Sequence, residues 1–267
     1  MSIDAVFVQD GERFTATDLA LGPWAPGALH GGAPAALLLR AFMRNTPSPG
    51  LRPARVTYEF VRPVPQGPLS VSVEVVRPGR RVTLLDAVLR DPGGTEVTRA
   101  RALMLAPSEV GDGGAAPPPF PGPRAGVISE WTSGGHRMFQ TDAMEIRFVE
   151  GRFRDPGPSI AWFRLRHPLI AGEPTAPLEL LAAAGDFGNG IASVLDWSEH
   201  IFINPDLTLY IERAPAGEWV ALQSEMRVAP GAVAVAESVL WDERGRIGRA
   251  VQALLVGPRQ EAGAAPT

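Results

Sequence analysis

The chain contains an internal repeat, and this feature constrains its fold more than any other. Residues 59–104 align with residues 210–256, and the offset stays at 150 or 151 along the alignment. Arg62, for example, aligns with Arg213. Two copies of this length are too long and too few for a solenoid. The repeat therefore predicts two similar halves, each built on one supersecondary pattern.

Both copies alternate apolar and polar residues with a period of two, which is typical of strands. Two Gly-containing segments, "LRDPGGTEV" and "LWDERGRIG", lie at matching places and are typical of hairpin turns. Each copy is predicted to form three long antiparallel strands joined by tight connections. Two further strand-like runs precede the second copy, "AMEIRFVEGRF" and "SIAWFRLRHPL".

A helical segment precedes each strand block. In the first half it covers residues 31–45, which are apolar on nearly every side. In the second half it covers residues 177–195 approximately. A helix that is apolar all round is buried, and an antiparallel sheet is one way to cover it. The pattern predicts an α+β fold, with two buried central helices wrapped by one continuous antiparallel sheet.

A Pro- and Gly-rich segment, residues 106–126, separates the two halves. A packed core does not form from such a composition. We therefore predict an N-terminal domain over residues 1–105, a linker over residues 106–126 and a C-terminal domain over residues 127–267.

The composition excludes several kinds of chemistry. The chain has no Cys, which excludes disulfides, thiolate catalysis and Cys-ligated metals. All 25 basic residues are Arg, so Schiff-base chemistry and a P-loop lysine are excluded as well. The four His residues show no metal-ligand spacing. We expect no metal and no cofactor.

Charge and hydropathy bear on partners and location. The net charge of −4 gives no reason to expect nucleic acid. No uninterrupted apolar stretch of about 18 residues is present, so no membrane partner is expected. The first residues lack the basic region of a secretory signal, and together with the lack of Cys this predicts a cytoplasmic location.

A single carboxylate, Asp186, stands where the apolar part of "PLELLAAAGDFGNGIAS" ends. Gly185, Gly188 and Gly190 surround it, and Gly allows another molecule to approach closely. An ionised carboxylate accepts hydrogen bonds, so it can orient a water or take its proton. The alternative interpretation is a turn-forming Asp that follows a helix, with the adjacent Gly as its C-cap.

Five segments follow one another in a recognisable order: "GPWAPGALHGGAPAALLLRA", "AWFRLR", "AAAGDFGNG", "INPDLTLYIERAPAGEWVAL" and "VLWDERGRIGRAVQALLV". In this order and spacing, from about Phe14 to Pro258, the chain resembles the acyl-CoA thioesterase II family of double hotdog proteins. The resemblance implies hydrolysis of acyl-CoA to a free acid and CoA, in fatty acid metabolism.

The resemblance also implies three catalytic residues. The family holds one water with an Asp, a Thr or similar polar side chain, and a Gln. Asp186 and Gln252 match the Asp and the Gln, and Asn204 stands where several family members have Thr. Asn also donates and accepts hydrogen bonds. By itself, the segment "INPD" around Asn204 is ordinary turn chemistry.

The repeat adds an observation about Gln252. The alignment places Arg101 of the first copy at the position of Gln252. A difference at one polar position between similar halves suggests that one half kept a site. The alternative is a solvent-facing strand residue with no role.

Four residues near the start of the first helix are candidate substrate-binding residues: Trp24, His30, Gly31 and Gly32. A helix N-terminus offers free N–H groups and a partial positive charge. The N–H groups of Gly31 and Gly32 are therefore candidate donors to the thioester carbonyl, as in an oxyanion hole. Alternatively, His30 fills space near Trp24. Apolar residues between the two helices are expected to receive the acyl chain.

Two alternatives to hydrolysis remain open. A hotdog-type acyl-CoA hydratase usually pairs an Asp with a His in one motif, and no His stands near Asp186 in the chain. The other alternative is a non-catalytic module that binds acyl-CoA. Since one double hotdog corresponds to the two-chain unit of single-hotdog relatives, we also expect a homodimer or higher homo-oligomer.

Overall fold

The computed structural model describes residues 4–108, 119–132, 135–231 and 233–259. Part of the predicted linker, residues 109–118, therefore lies outside the described residues. None of the helices in the described ranges has the length and apolar composition needed to span a membrane.

The elements of these described ranges are mostly strands. The strands are β1 (Phe7–Asp10), β2 (Arg13–Ala16), β3 (Arg52–Glu59), β4 (Pro68–Arg77), β5 (Val82–Arg90), β6 (Glu96–Leu105), β7 (Val127–Ile128), β8 (Met144–Glu150), β9 (Ser159–Leu165), β10 (His200–Ile203), β11 (Asp206–Ile211), β12 (Val220–Val228), β13 (Ala234–Asp242) and β14 (Gly245–Pro258). The α-helices are α1 (Gly32–Arg44), α2 (Pro177–Gly185) and α3 (Gly188–Ile191).

The strands form one large antiparallel sheet, which confirms that part of the predicted fold. Its order is β1-β2-β4-β5-β6-β3-β11-β14-β13-β12-β9-β8-β7, and β10 pairs with β14. The order of the first half, β1-β2-β4-β5-β6-β3, corresponds to the order β8-β9-β12-β13-β14-β11 of the second. The two halves meet where β3 pairs with β11, with Thr57 opposite Thr208. The repeat seen in the sequence is thus a repeat of strand order.

The strand pairing corrects the sequence alignment in the last strand of each copy. Thr57 lies opposite Arg101 on β6, and the equivalent Thr in the second half lies opposite Val251 on β14. The counterpart of Gln252 is therefore Ala102, and not Arg101 as the sequence predicted. Gln252 and Ala102 are both buried, whereas Arg101 is exposed.

The cause of this one-residue error is the length of the two hairpin turns. Asp242 pairs directly with Gly245, so two residues form the second turn. In the first turn, the Asp91 N–H donates to the Thr95 carbonyl, so three residues lie between the paired positions. The extra residue changes the offset of the repeat. A shift of one residue moves a strand side chain to the other face of the sheet.

The predicted first helix is confirmed, and the predicted second helix is interrupted. α1 covers nearly the predicted residues. Pro34 lies in its first turn, where backbone N–H groups have no partner within the helix, so the N–H that Pro lacks costs no helical hydrogen bond. α2 begins at Pro177, and the Glu179 carboxylate accepts the Ala176 N–H at 2.8 Å. The helix ends at Gly185 and resumes after a short break as α3. The break contains Asp186.

The two longer helices touch each other. A Cβ built on Gly32 would lie 2.4 Å from the carbonyl oxygen of Ala183, so only Gly fits at this crossing. The backbones of α1 and α2 are therefore in contact here, and the expected space for an acyl chain between the helices is absent at this point. The main hydrophobic core includes side chains from both halves of the chain.

Candidate active site

The break between α2 and α3 positions the Asp186 side chain, which is 5% exposed. A Cβ built on Gly31 would lie 2.7 Å from Asp186 Oδ2, so Gly31 allows the carboxylate to lie against the start of α1. Gly185 and Gly188 are packed against neighbouring side chains, and only Gly190 borders open space. Two of the three flanking Gly residues thus serve internal packing rather than access for another molecule.

Two amide side chains donate to one carboxylate oxygen. Asn204 Nδ2 donates to Asp186 Oδ1 at 2.8 Å, and Gln252 Nε2 donates to the same oxygen at 3.3 Å. Gln252 Nε2 also lies 3.2 Å from the Asp186 carbonyl oxygen. The structure therefore brings together the three residues that the resemblance implied. Donors of this kind stabilise the negative charge of a carboxylate and fix its orientation.

The side-chain amides of Asn204 and Gln252 make further hydrogen bonds to other groups of the protein. Asn204 Nδ2 donates a second time, to the Asp206 carbonyl at 3.0 Å, which uses both of its hydrogens. Gln252 is 1% exposed, and its Oε1 accepts the Asn189 N–H at 3.1 Å. Both amides therefore act on the carboxylate, and Gln252 lies behind it.

Asp206, on the strand that follows Asn204, is a half-buried neighbour of the site. Its Oδ1 accepts the Ala253 N–H at 2.7 Å, which ties the start of β11 to β14. Burial raises the pKa of Asp206, and this backbone hydrogen bond opposes the rise. The Asp206 side chain thereby fixes its own backbone, and the carbonyl of that backbone accepts the hydrogen bond from Asn204 Nδ2.

His30 is the second polar neighbour of the carboxylate. His30 Nδ1 lies 3.2 Å from Asp186 Oδ2 and 3.1 Å from the N–H nitrogen of Gly32. One ring nitrogen either donates to the carboxylate or accepts from the N–H, and does not do both at once. The ring stacks on Phe187 with centroids 4.5 Å apart. Sequence reasoning missed this contact with Asp186 because the two residues stand far apart in the chain.

The structure separates the two predicted backbone donors. The Gly32 N–H points at His30, whereas the Gly31 N–H makes no hydrogen bond within the described part of the chain. Gly31 precedes α1, where the helix supplies a partial positive charge. Of the two, Gly31 is the better candidate donor to a substrate oxygen.

A small pocket adjoins the carboxylate. It is bordered by Pro23, Trp24, His30, Trp131, Gln140, Ile146, Phe153, Asp186, Phe187, Asn189, Gly190, Ile191, Trp197 and Asn204. The predicted residues Asp186, Asn204, His30 and Trp24 all border it. Gly31, Gly32 and Gln252 are not among the residues that border it, which for Gln252 agrees with its place behind the carboxylate.

Four half-buried rings, Trp24, Trp131, Phe153 and Trp197, separate this pocket from an outer groove, and we call them the aromatic wall. Trp131 and Phe153 stack with centroids 4.0 Å apart, and Phe153 meets Trp197 at 5.4 Å. Trp24 stacks on Trp197 at 5.8 Å. Only Trp24 was predicted, because the other three rings lie in connections that have no periodic pattern.

The outer groove carries positive charge. Arg154 and Arg259 border it, together with Asp196 and the aromatic wall. Arg259 Nε donates to the Trp197 carbonyl at 2.9 Å, which fixes the guanidinium beside the wall. The residues Arg154 and Arg259 were not singled out in the sequence, because isolated Arg residues give no pattern.

Solved structures with the same architecture place the fold in the hotdog class. A protein of unknown function with a hot dog fold from Alicyclobacillus acidocaldarius has a TM-score of 0.73 at 18% identity, covering 98% of this chain and 99% of its own. A putative thioesterase II from Thermobifida fusca YX has a TM-score of 0.75 at 22% identity, covering 94% and 95%. An acyl-CoA thioesterase II from Mycobacterium marinum has a TM-score of 0.63 at 18% identity, covering 99% and 98%.

Two family profiles match the sequence itself. The acyl-CoA thioesterase N-terminal domain matches residues 20–105, and the acyl-CoA thioesterase C-terminal domain matches residues 113–256. The chain therefore belongs to the acyl-CoA thioesterase family, as its resemblance to that family implied. No curated protein sequence matches it.

Proposed function

We propose that this protein hydrolyses acyl-CoA thioesters to a free acid and CoA. The observation that carries the proposal is the buried Asp186 carboxylate, held by the amides of Asn204 and Gln252 at the edge of a pocket. Membership of the acyl-CoA thioesterase family supports the same substrate class.

In the proposed mechanism, Asp186 acts as a general base. Its carboxylate accepts a hydrogen bond from a water in the pocket and takes a proton as the water oxygen attacks the thioester carbon. The tetrahedral intermediate then expels the CoA sulfur, which receives the proton. A positioned general base contributes roughly a hundredfold to ten-thousandfold in rate. Asn204 and Gln252 hold the carboxylate in the orientation that this step requires.

The substrate carbonyl is proposed to face the start of α1. The Gly31 N–H, which has no hydrogen-bond acceptor among the described residues, and the positive end of the helix stabilise the negative charge that develops on the oxygen. His30 Nδ1 lies 3.2 Å from Asp186 Oδ2 and stabilises the carboxylate when this nitrogen carries a proton. Trp24, as part of the aromatic wall, is the fourth residue that we propose for substrate binding, with His30, Gly31 and Gly32.

The two cavities suggest how the substrate lies. The pocket beside Asp186 has a volume of only about 30 Å³, so we place no more than the thioester group there, and the outer groove, with about 670 Å³, is open to CoA. Phosphate groups bind Arg through charge-assisted, often bidentate hydrogen bonds. We propose Arg154 and Arg259 for these phosphates.

Release of free CoA tests the proposal. Purified protein is incubated with a panel of acyl-CoA thioesters and a thiol-reactive dye, and we expect thiol to appear with time in proportion to enzyme. Binding of acyl-CoA without any release of thiol would instead indicate a non-catalytic binding module.

A hydratase is the second candidate function, and one observation favours it. The sequence shows no His near Asp186, but the fold places His30 Nδ1 3.2 Å from its carboxylate. A paired Asp and His is what hotdog hydratases use. With an enoyl-CoA substrate, loss of the conjugated absorbance without thiol release would support hydration and contradict hydrolysis.

Organisation and assembly remain proposals of the same kind. We propose hotdog domains over residues 1–105 and 127–267 joined by a linker over residues 106–126, with α1 and α2 as their central helices. We also propose a cytoplasmic homo-oligomer that acts in fatty acid metabolism. Light scattering tests the assembly, and the mass of a single chain, 28.4 kDa, would contradict it.

A further inference from the structure

The pocket beside Asp186 has the size of a site for an ordered water. Its volume is about 30 Å³. A cavity of about 10–15 Å³ already holds one water, provided that the water finds two or more polar partners. The side chains of Gln140, Asp186 and Asn204 border the pocket and carry such partners. The pocket therefore suits one or two waters better than any larger molecule.

One oxygen of the Asp186 carboxylate is available to such a water. Oδ1 already accepts the amides of Asn204 and Gln252, which fills both of its lone pairs. Oδ2 lies 3.2 Å from His30 Nδ1, and this nitrogen is also 3.1 Å from the N–H nitrogen of Gly32. When Nδ1 accepts that N–H, Oδ2 receives no hydrogen bond from the described residues. Oδ2 is therefore the oxygen that can accept a hydrogen from a water in the pocket.

Gln140 supplies a second acceptor at the same pocket. The residue is 3% exposed, and its Nε2 lies 3.1 Å from Met138 Sδ. Its Oε1 has no hydrogen-bond partner, and no other side chain on the border of the pocket has such a buried, unpaired atom within the described ranges. A buried acceptor without a partner costs free energy, and in native proteins an ordered water often removes that cost. Gln140 Oε1 is thus the second group that a water in the pocket would contact.

The backbone around Gln140 is fixed, which keeps the amide at the pocket. Gln140 lies in a single helical turn, Phe139–Ala143, directly before β8. The N–H of Phe139 donates to the Leu21 carbonyl at 2.8 Å. The Phe139 ring lies beside the His30 ring, with centroids 5.1 Å apart. The turn is therefore joined to the segment that leads into α1, which also borders the pocket.

We infer, resting on the proposed hydrolysis, that Gln140 is a further catalytic residue and holds the attacking water together with Asp186. The water donates one hydrogen to Asp186 Oδ2 and the other to Gln140 Oε1. Because both hydrogens are then fixed, a lone pair of the water oxygen faces the thioester carbon, which reaches the pocket from the outer groove.

The two acceptors have different roles as the reaction proceeds. Asp186 takes its hydrogen as a proton while the bond between oxygen and carbon forms. That proton passes to the CoA sulfur when the bond between carbon and sulfur breaks. The second hydrogen stays on the oxygen and remains bound to Gln140 Oε1, so the acyl group leaves as the carboxylic acid.

Gln140→Leu tests the role in catalysis, because Leu has a similar volume and no acceptor. We expect kcat to fall about five- to tenfold, the size of one hydrogen bond, and KM to stay within about twofold. Gln223→Leu makes the same change at an exposed position on β12 and should leave both constants unchanged. An unchanged kcat in Gln140→Leu would overturn the inference and leave the proposed hydrolysis standing.

Methanol as a competing nucleophile separates a contact with the attacking water from a structural role. Methanol attacks the same carbon, and the products are a methyl ester and CoA. Asp186 takes its one hydroxyl hydrogen, so its methyl group would face Gln140 Oε1 and leave that acceptor unpaired. In Gln140→Leu the methyl group meets an apolar side chain, and the ratio of methyl ester to free acid should rise about fivefold or more. This ratio does not depend on the fraction of folded protein, and an unchanged ratio would overturn the inference.

A crystal structure tests the water site whether or not a thioester is hydrolysed. In the wild type we expect an ordered water at about 3 Å from both Gln140 Oε1 and Asp186 Oδ2, and its loss in Gln140→Leu. If no acyl-CoA is hydrolysed, the proposed function is wrong, and a water bound to both oxygens would still support the water site. A wild-type pocket in which no water contacts both oxygens would overturn the inference.

Discussion

Asp186 is the proposed general base because its surroundings hold one carboxylate oxygen and place the carboxylate at the edge of a pocket. Oδ1 receives the amides of Asn204 and Gln252, and Oδ2 lies beside His30 and the Cα of Gly31. In the proposed mechanism, a water that enters the pocket meets a carboxylate that is already oriented. Such preorganisation lowers the cost of reaching the transition state.

Gln252→Ala tests whether orientation matters. The change removes the amide that donates to Asp186 and leaves the Asn189 N–H without its acceptor. We expect kcat to fall about ten- to a hundredfold, because the carboxylate loses its fixed position. KM should change little, because Gln252 does not border the pocket. Steady-state kinetics with a hydrolysed acyl-CoA measures both constants.

The control for this variant is Arg101→Ala. Arg101 is exposed and forms an ion pair with Asp86 on the outer face of the sheet, so kcat should stay within a few-fold of the wild type. A raised KM with unchanged kcat in Gln252→Ala would contradict a positioning role.

Gly31→Ala tests the close approach of the carboxylate to α1. The added Cβ would lie 2.7 Å from Asp186 Oδ2, so the carboxylate must move. The backbone at Gly31, with φ −58 and ψ −26, accepts Ala without strain. We expect kcat to fall at least about tenfold while the melting temperature falls only modestly.

The comparison for this variant is Gly122→Ala, where an added Cβ meets open space. It should change neither kcat nor melting temperature. Wild-type kcat in Gly31→Ala would mean that the position of the Asp186 carboxylate is not critical.

At the scale of elements, an ion pair joins the connection after β11 to the hairpin of β13 and β14. Arg213 donates twice to the fully buried Asp242 carboxylate, at 2.6 Å each, and the N–H groups of Ala216 and Arg244 donate at 2.8 Å. Burial opposes ionisation, but these hydrogen bonds outweigh it and lower the pKa of Asp242 below its usual value. The negative charge of Asp242 therefore stabilises the turn between β13 and β14.

Asp242→Asn should therefore destabilise the protein in a pH-dependent way. Because the pKa of Asp242 is lower in the folded protein than in the unfolded chain, its ionisation stabilises the fold. This stabilisation is fully present above the usual Asp pKa, near 4, and is lost as the pH falls through the lower pKa of the folded state. We expect the free energy of unfolding to fall by about 2–3 kcal/mol at neutral pH. The difference from wild type should shrink as the pH is lowered below 4.

The repeat supplies the control for this measurement. Asp91, the counterpart of Asp242 in the first hairpin, is half-buried and accepts the Thr95 N–H at 2.9 Å. Asp91→Asn should cost less than about 1 kcal/mol. Urea denaturation of both variants at several pH values gives the comparison, and a pH-independent loss in Asp242→Asn would contradict the role of its charge.

How far the sequence predicts these elements depends on their length and surroundings. The long strands β4, β5 and β6 have enough alternation to be recognised, as do β12, β13 and β14. The two-residue β7 and the four-residue β1, β2 and β10 have too few positions to show a period. The break in the second helix was missed because its apolar residues continue on both sides of Asp186.

The candidate site was predictable only where family resemblance or a local pattern singled out a residue. Asp186, Asn204 and Gln252 were found in this way, and the fold brings them together. The proximity of His30 to Asp186, the ring of Trp131 and the buried Gln140 depend on contacts between distant parts of the chain. No single sequence reveals such contacts.

At the scale of the whole molecule, the two halves share one core. β3 pairs with β11, α1 touches α2, and the main hydrophobic core draws side chains from both halves. Neither half can lose its structure without exposing apolar surface of the other. We therefore expect a single cooperative unfolding transition.

The distribution of Trp makes this testable. Of the six Trp residues, Trp24 alone lies in the first half, so fluorescence reports mainly on the second half. Far-UV circular dichroism reports on both halves. The two probes should give coincident urea transitions, and a circular dichroism transition that separates from the fluorescence transition would mean that the halves unfold independently.

The central claim is that the Asp186 carboxylate activates the water that cleaves an acyl-CoA thioester. Asp186→Asn tests it most directly, because the amide has nearly the same shape and cannot take a proton. The melting temperature should show a folded protein, and binding of acyl-CoA should persist. The rate of CoA release should fall about a hundredfold or more. Release of CoA by Asp186→Asn at the wild-type rate would contradict the claim.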